Sequence, residues 1–233
     1  MDLKTGLVFL LLSSRLYSSP AITAGEPFPR VDHLYCLTYL LAQDESQIIS
    51  EISRLEPLLE TDSMGRLQTD HVTYAAGVLH IYRYIRSGRR DDAMKAKRLL
   101  EAVEDQFGND KLFIVHLGMA HAFVASIRTV FGVGDLKKMQ TELQSIEKSH
   151  PDWVIRLLRG ITLVEVGRAL PGIFTIREIK NQAVEVGTED LRFVLSLPRL
   201  RPAESFDPET YDLDKMPVPW DVVTKAESVL AGD

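Results

Sequence analysis

The chain has 233 residues, 45% of them hydrophobic and 26% charged, with a formal net charge of −6. That composition supports one sizeable core or two small ones, and the acidic balance gives no electrostatic case for nucleic acid or an anionic membrane surface. A single cysteine, Cys36, excludes an intramolecular disulfide and a cysteine-based zinc site.

The first stretch, MDLKTGLVFLLLSS, has one lysine and a short apolar run from Gly6 to Leu12. RLYSSPAITAG follows, with small residues and Ala24 at a cleavage-compatible position. Residues 1–24 therefore resemble a secretory signal peptide, and the run is too short to cross a bilayer. Arg15 and the scarcity of positive charge favour the competing readings, a transit peptide or an ordinary N-terminal segment. The expectation is an exported protein, periplasmic or otherwise extracytoplasmic, with no integral membrane segment in the mature chain. Without cleavage the chain is cytoplasmic.

From there to about residue 197 the periodicity is helical. In HLYCLTYLL, Cys36 reads as a small core residue. DESQIISEISRLEPLLE sets Ile48, Ile49, Ile52, Leu55, Leu58 and Leu59 on one stripe, with Asp44 or Ser46 as the cap. VTYAAGVLHIYRYI is apolar nearly all round, so it must be covered on several sides. In RSGRRDD, the cluster Arg86, Arg89 and Arg90 followed by Asp91 and Asp92 reads as a solvated turn. DDAMKAKRLLEAVEDQF is again one-sided, through Ala93, Ala96, Leu99, Leu100, Val103 and Phe107. LFIVHLGMAHAFVASI repeats the all-round apolar pattern, and DLKKMQTELQSIEK the one-sided one, with Leu136, Met139, Leu143 and Ile146. After SHPDW comes LLRGITLVE, where Trp153 is expected to pack at a junction between units.

Buried and exposed helices thus alternate, and small residues recur in the buried ones. Gly77, Gly118 and Gly160 stand 41 and 42 residues apart, and one step back lies Cys36. Four helix-turn-helix units fit, at roughly 32–61, 68–107, 110–149 and 151–197. Tiny side chains are expected where successive hairpins press together, because a bulky one would hold the helices apart.

From Pro198 the composition changes. Pro198, Pro202, Pro208, Pro217 and Pro219 stand among acidic residues, so no regular helix runs through. Phe206, Tyr211, Leu213, Met216 and Trp220 are too apolar for a plain tail. The reading is a strap laid on the array and a short capping helix, WDVVTKAESVL. The chain divides as 1–24 signal-like, 25–197 repeat domain, and 198–233 strap and cap.

The alternation resembles the tetratricopeptide-repeat superfamily in an expanded, divergent form. RSGRRDDAMKAKRLLEAVE has a turn glycine, Gly88, and Ala93 five residues on, as that repeat does, and Pro151 sits between units. The period exceeds the usual ~34, Met139 replaces an alanine, and RALPGIF, with Pro171 and Gly172, replaces a tight turn. The resemblance implies an all-α fold: a right-handed superhelical stack of about four antiparallel helix hairpins. It also implies that each first helix lines the concave side. Registered on the glycines, the candidate binding residues are Tyr74, Val78, His80 and Tyr82, then Met119, His121 and Phe123, then Ile161. Such a face is greasy. It is filled by the C-terminal segment, or takes an apolar ligand or partner helix, or is core.

His80 and His121 are one repeat apart. Equivalent positions on adjacent helices lie about 10 Å apart, and the third equivalent is Leu163, so no metal site is expected. The two histidines should instead bond neighbouring carbonyls. No nucleophile elbow, zinc helix, phosphate loop or dinucleotide fingerprint is present, and the two glycines of residues 132–135 are too weak a sign. The expectation is a non-enzymatic scaffold without a cofactor, binding a protein or peptide. The alternative is a carrier holding a small apolar or amphipathic molecule inside the array. An enclosed apolar cavity would favour the carrier, and a filled interior with an open groove the scaffold.

Overall fold

Short polar side chains begin the helices by accepting bonds from backbone N–H groups that have no intrahelical partner. Asp32 caps α1 (His33–Leu40), Asp44 caps α2 (Glu45–Leu59) and Asp152 caps α8 (Trp153–Ala169). Between them run α3 (Arg66–Ser87), α4 (Arg90–Glu101), a single turn α5 (Glu104–Phe107), α6 (Lys111–Ile127) and α7 (Val133–Gln144). After α8 come α9 (Phe174–Ser196) and α10 (Trp220–Ala231). This computed structural model describes residues 28–42, 44–60, 64–127, 133–170, 174–201, 206–213 and 215–232. The signal-like segment and the turn at Pro171 and Gly172 lie outside them. The fold is all-helical among the described residues, and no helix there is long and apolar enough to cross a membrane.

The alternation of helix types has a packing cause. α3 touches α1, α2, α4 and α6, while α6 touches α3, α4, α7 and α8. A helix covered from four directions must be apolar around its whole circumference. Accordingly every residue from Val72 to Tyr82 and from Val115 to Ala125 is buried. α2, α4 and α7 each bury one stripe; on α2 it is narrower than the sequence suggests, because Ile49 is 39% exposed.

Three close hairpins, α3–α4, α6–α7 and α8–α9, are built on one repeated contact. A Cβ on Gly77 would stand 2.9 Å from Leu100 Cδ2 and Cγ, and one on Gly118 only 2.6 Å from Leu143 Cδ2. On Gly160 it would meet Leu191 at 2.9 Å and the Gly187 carbonyl oxygen at 3.1 Å. Each glycine therefore admits a leucine from the second helix of its own hairpin. The glycines thus seat contacts within a hairpin, not between successive hairpins as their spacing along the chain suggests. The α8–α9 seam adds Gly167, whose Cβ would lie 2.6 Å from Val184 Cγ2. Glycine on both helices, Gly160 and Gly167 on α8 and Gly187 on α9, lets the backbones approach closely. Cys36 does not share this role: it faces His116 on α6, at 3.7 Å.

The α3–α4 hairpin turns through Gly88, whose φ of +65° is in the left-handed region that favours glycine. The C-terminal segment folds back on itself. Val218 N donates to Pro198 O at 2.8 Å and Leu200 N to Val218 O at 2.9 Å, and Phe206 meets Tyr211 edge-on at 5.3 Å. α10 then packs on α8 and α9 through a buried face that includes Val222, Ala226 and Val229. The Arg168 guanidinium donates to the carbonyls of Val229 and Leu230 at the end of α10, placing positive charge where the helix dipole is negative.

Gly160→Leu is expected to destabilise the protein by about 1–3 kcal/mol or more, since one neighbour is backbone and cannot rotate away. Urea unfolding monitored by circular dichroism measures this, and a loss below about 0.5 kcal/mol would show that the seam has room.

Candidate functional site

All eight residues picked out on the first helices are buried: Tyr74, Val78, His80, Tyr82, Met119, His121, Phe123 and Ile161. The six other than His80 and His121 belong to one contiguous hydrophobic core, together with the facing leucines. Their burial favours the core reading over a groove lining, although Tyr82 also reaches the space beside Arg86. The reason is the coverage of α3, α6 and α8 on several sides.

The two histidines do not bond carbonyls, as expected, but carboxylates. His80 Nδ1 donates to Asp92 Oδ1 at 2.7 Å, with Glu56 Oε1 3.3 Å from Nε2. His121 Nδ1 lies 3.2 Å from Asp135 Oδ1, and Nε2 3.3 Å from Glu142 Oε1. The arrangement repeats in part: histidine on a first helix and aspartate at the start of the following second helix, with Glu56 from the preceding unit beside His80, and beside His121 both Glu101 from the preceding unit at 3.8 Å and Glu142 from its own hairpin. Lys95 reaches that glutamate, Glu56, in one unit, and Lys138 reaches Glu101 at 2.8 Å in the next. Burial pushes the Asp135 carboxyl up, but bonds from Lys97 and His121 outweigh it and hold the group below its ordinary range. Burial raises the Glu142 carboxyl, whose Oε2 has no partner. Among the described residues no group of three or more histidine, cysteine or acidic side chains is placed to hold a metal ion.

A second polar cluster, read from the sequence only as packing, sits where α1, α3 and α6 meet. His116 Nδ1 donates to Leu112 O at 2.7 Å, as its partner one turn back in the helix. Its Nε2 is then free to accept from Tyr82 Oη at 3.0 Å and from the Cys36 thiol at 3.7 Å. A thiol beside an imidazole suggests nucleophilic chemistry, which needs a low thiol pKa and a charged histidine. Burial does the reverse: it pushes the Cys36 thiol up and lowers His116 to about 4. The pair is a satisfied core contact. The sequence signal was present in VHLGMAHAF, whose first histidine is as apolar in its surroundings as the second.

Two buried arginines close the fourth hairpin. Arg156 and Arg159 share Asp190, with N–O distances of 2.8 and 2.6 Å. Arg159 also donates to Ile146 O at 2.8 Å and Glu147 O at 3.2 Å just beyond α7. A buried charge triad is tolerated only when its hydrogen bonds are filled, as here.

Among the described residues, two open spaces flank this core. A groove of about 290 Å³ runs between α7 and α9, lined by Met139, Leu143, Ile146, Ile179, Ala183 and Val186, with Leu163 behind. Gln140 and Gln182 bond across it at 3.3 Å. The other is a cleft of about 320 Å³ between α10 and the α1–α3 pair, with Leu40, Leu41, Phe206, Arg86 and Lys225 among its walls. Arg86 was read as part of a solvated turn. Its side chain instead donates to Leu40 O at 3.1 Å, and Asp92, its supposed neighbour in that turn, faces His80. The alternation of solvated charges in RSGRRDD masks both.

No family model, curated protein or solved structure matches this chain.

His33 and Asp152 join the start of α1 to the start of α8 at 2.5 Å. The Asp152 bond raises the His33 pKa above its ordinary value, so its stabilising effect is present below about 6.5 and lost as pH rises through the raised value. His116, held down to about 4, acts oppositely: stability falls as pH drops from 6.5 toward 4, because the unfolded imidazole takes the proton first. NMR titration of the ring protons is expected to show His33 titrating above 6.5 and His116 near 4. Titration of His116 near 6.5 would contradict its burial.

Proposed function

We propose that the chain is a non-enzymatic helical-repeat protein of divergent tetratricopeptide-like build. It acts as a protein-binding or assembly scaffold and is exported after loss of residues 1–24. The observation that carries this reading is the contrast between a filled interior and an open apolar groove. Tyr74, Met119 and Phe123, where a carrier would hold its ligand, are buried among neighbouring side chains. The α7–α9 groove is reachable from outside.

The occupant that fits the groove is an amphipathic helix of a partner protein. Met139 and Leu143 on one wall are spaced by four, and Ile179, Ala183 and Val186 on the other by four and three. Two helix walls with those spacings offer holes for side chains of a third helix at the same spacings. The rim is Gln140, Gln144 and Gln182 with Lys148, so it offers hydrogen bonds and one positive charge rather than a charged clamp. An enzyme is not supported by the buried Cys36–His116 pair, which lacks both activation and access.

A photo-reactive amino acid at Gln182, introduced in the native host, is expected to give one discrete protein adduct that Val186→Glu reduces at least fivefold. That factor corresponds to the loss of about 1 kcal/mol at an interface anchor. The same probe at the exposed Gln106 is the control. Equal labelling from both positions, or an adduct indifferent to Val186→Glu, would overturn the assignment of the groove.

A further inference from the structure

Cationic side chains that face the interior of this protein are for the most part neutralised where they stand. Arg54 pairs with Glu51 at 2.6 Å, Arg83 with Glu45 at 3.0 Å, Lys97 with Asp135 at 2.5 Å, and Arg156 and Arg159 with Asp190. Arg168 and Lys180 are bound to backbone carbonyls, Lys180 to Leu170 O at 2.9 Å.

Arg86 and Lys225 depart from that pattern. Among the described residues neither lies within ion-pair distance of a carboxylate, and the one bond of Arg86 goes to Leu40 O. Arg86 ends α3 and Lys225 lies in the middle of α10, so the chain brings them together from 139 positions apart. They share two adjoining spaces, the cleft of about 320 Å³ and a second of about 360 Å³ that reaches Tyr82 and Ile85. Leu40 is common to both, and Leu41 and Phe206 continue the apolar wall. Partial burial lowers the Arg86 pKa, while the charges of Asp44 and Glu45 act on it against that. Asp221, exposed and one turn before Lys225, also lines the cleft and is the acid on its wall. Leaving charge partly desolvated without an oxyanion partner has a cost that a bound anion removes.

We infer that the cleft between α10 and the α1–α3 pair binds a small amphiphile. Its oxyanion head, carboxylate or phosphate, lies between Arg86 and Lys225, and its apolar tail lies against Leu40, Leu41 and Phe206. The volume is at the lower end of small-ligand sites, which start at about 300 Å³. Thr38 and Thr224 line the same space, but their hydroxyl protons go to Leu34 O and Trp220 O, so Arg86 and Lys225 are the donors that face the head. This site is separate from the α7–α9 groove, and its existence does not rest on the scaffold reading.

The test is isothermal titration of the full chain with octanoate, octyl phosphate and octylammonium, with Trp220 fluorescence as a second readout. Saturable binding of at least one of the two anions, one per chain, is expected, with octylammonium at least tenfold weaker. Which anion binds tells carboxylate from phosphate. Arg86→Gln and Lys225→Gln should each weaken the anion at least tenfold, in proportion to a lost charge-assisted bond. If Arg86→Gln alters the fold, judged by circular dichroism, Lys225→Gln on the half-buried face of α10 carries the test alone. Octylammonium binding as tightly as the anions, no saturable anion binding, or wild-type affinity in folded Lys225→Gln would each overturn the inference.

Discussion

Leu100, Leu143 and Leu191 each rest on a helix that has no side chain at the point of contact. Most of the architecture follows from that arrangement. With glycine beneath it, a leucine can reach the backbone of the first helix, so the two helices of a hairpin lie closer than bulkier residues permit. Close second helices, together with the neighbouring first helices, then cover α3 and α6 from every side. The apolar faces that look available for a ligand in sequence are consumed by the fold itself. Open space is left at seams where the packing is incomplete, between α7 and α9 and in front of α10.

The polar groups inside this core mostly follow a second rule, that a buried donor or acceptor needs a partner, with Tyr35 Oη, His121 Nε2 and Glu142 Oε2 as exceptions. His80 and His121 find aspartates one helix later, His116 finds a carbonyl and a phenol, and Asp190 takes two guanidinium groups. The repeated histidine–aspartate contact also ties the two helices of a hairpin, less than one turn along the first helix from its glycine–leucine seat. Directional bonds of this kind select one register among several that apolar packing alone would allow. The glutamates Glu56 and Glu101 extend the same network to the preceding unit, so adjacent hairpins are linked by charge as well as by apolar contact.

Helix positions were legible in the sequence because the apolar period of 3.6 is strong in Ile48–Leu55, Ala93–Leu100 and Leu136–Ile146. Gly77, Gly118 and Gly160 were legible as close approaches because they recur. Their partners were not: a period along the chain says that a position is equivalent in each unit, not which way it points around the helix. For the same reason Tyr74, Met119 and Phe123 could be groove or core until their neighbours were known. Arg86 was hidden by local composition, since a charge run reads as solvent-facing whichever member turns inward. The α7–α9 groove has no sequence sign at all. It lies where the second helices α7 and α9 face each other, with Leu163 and Arg159 of α8 among its lining.

The seat of Leu143 on Gly118 is the cleanest place to measure the central contact, because every close neighbour of a Cβ at Gly118 belongs to that one leucine. In a double-mutant cycle of Gly118→Ala and Leu143→Ala, read by urea unfolding, the double variant should be less destabilised than the sum of the singles by about 0.5–3 kcal/mol. Additivity within about 0.3–0.5 kcal/mol would mean the two residues do not touch, and the hairpins would need another explanation.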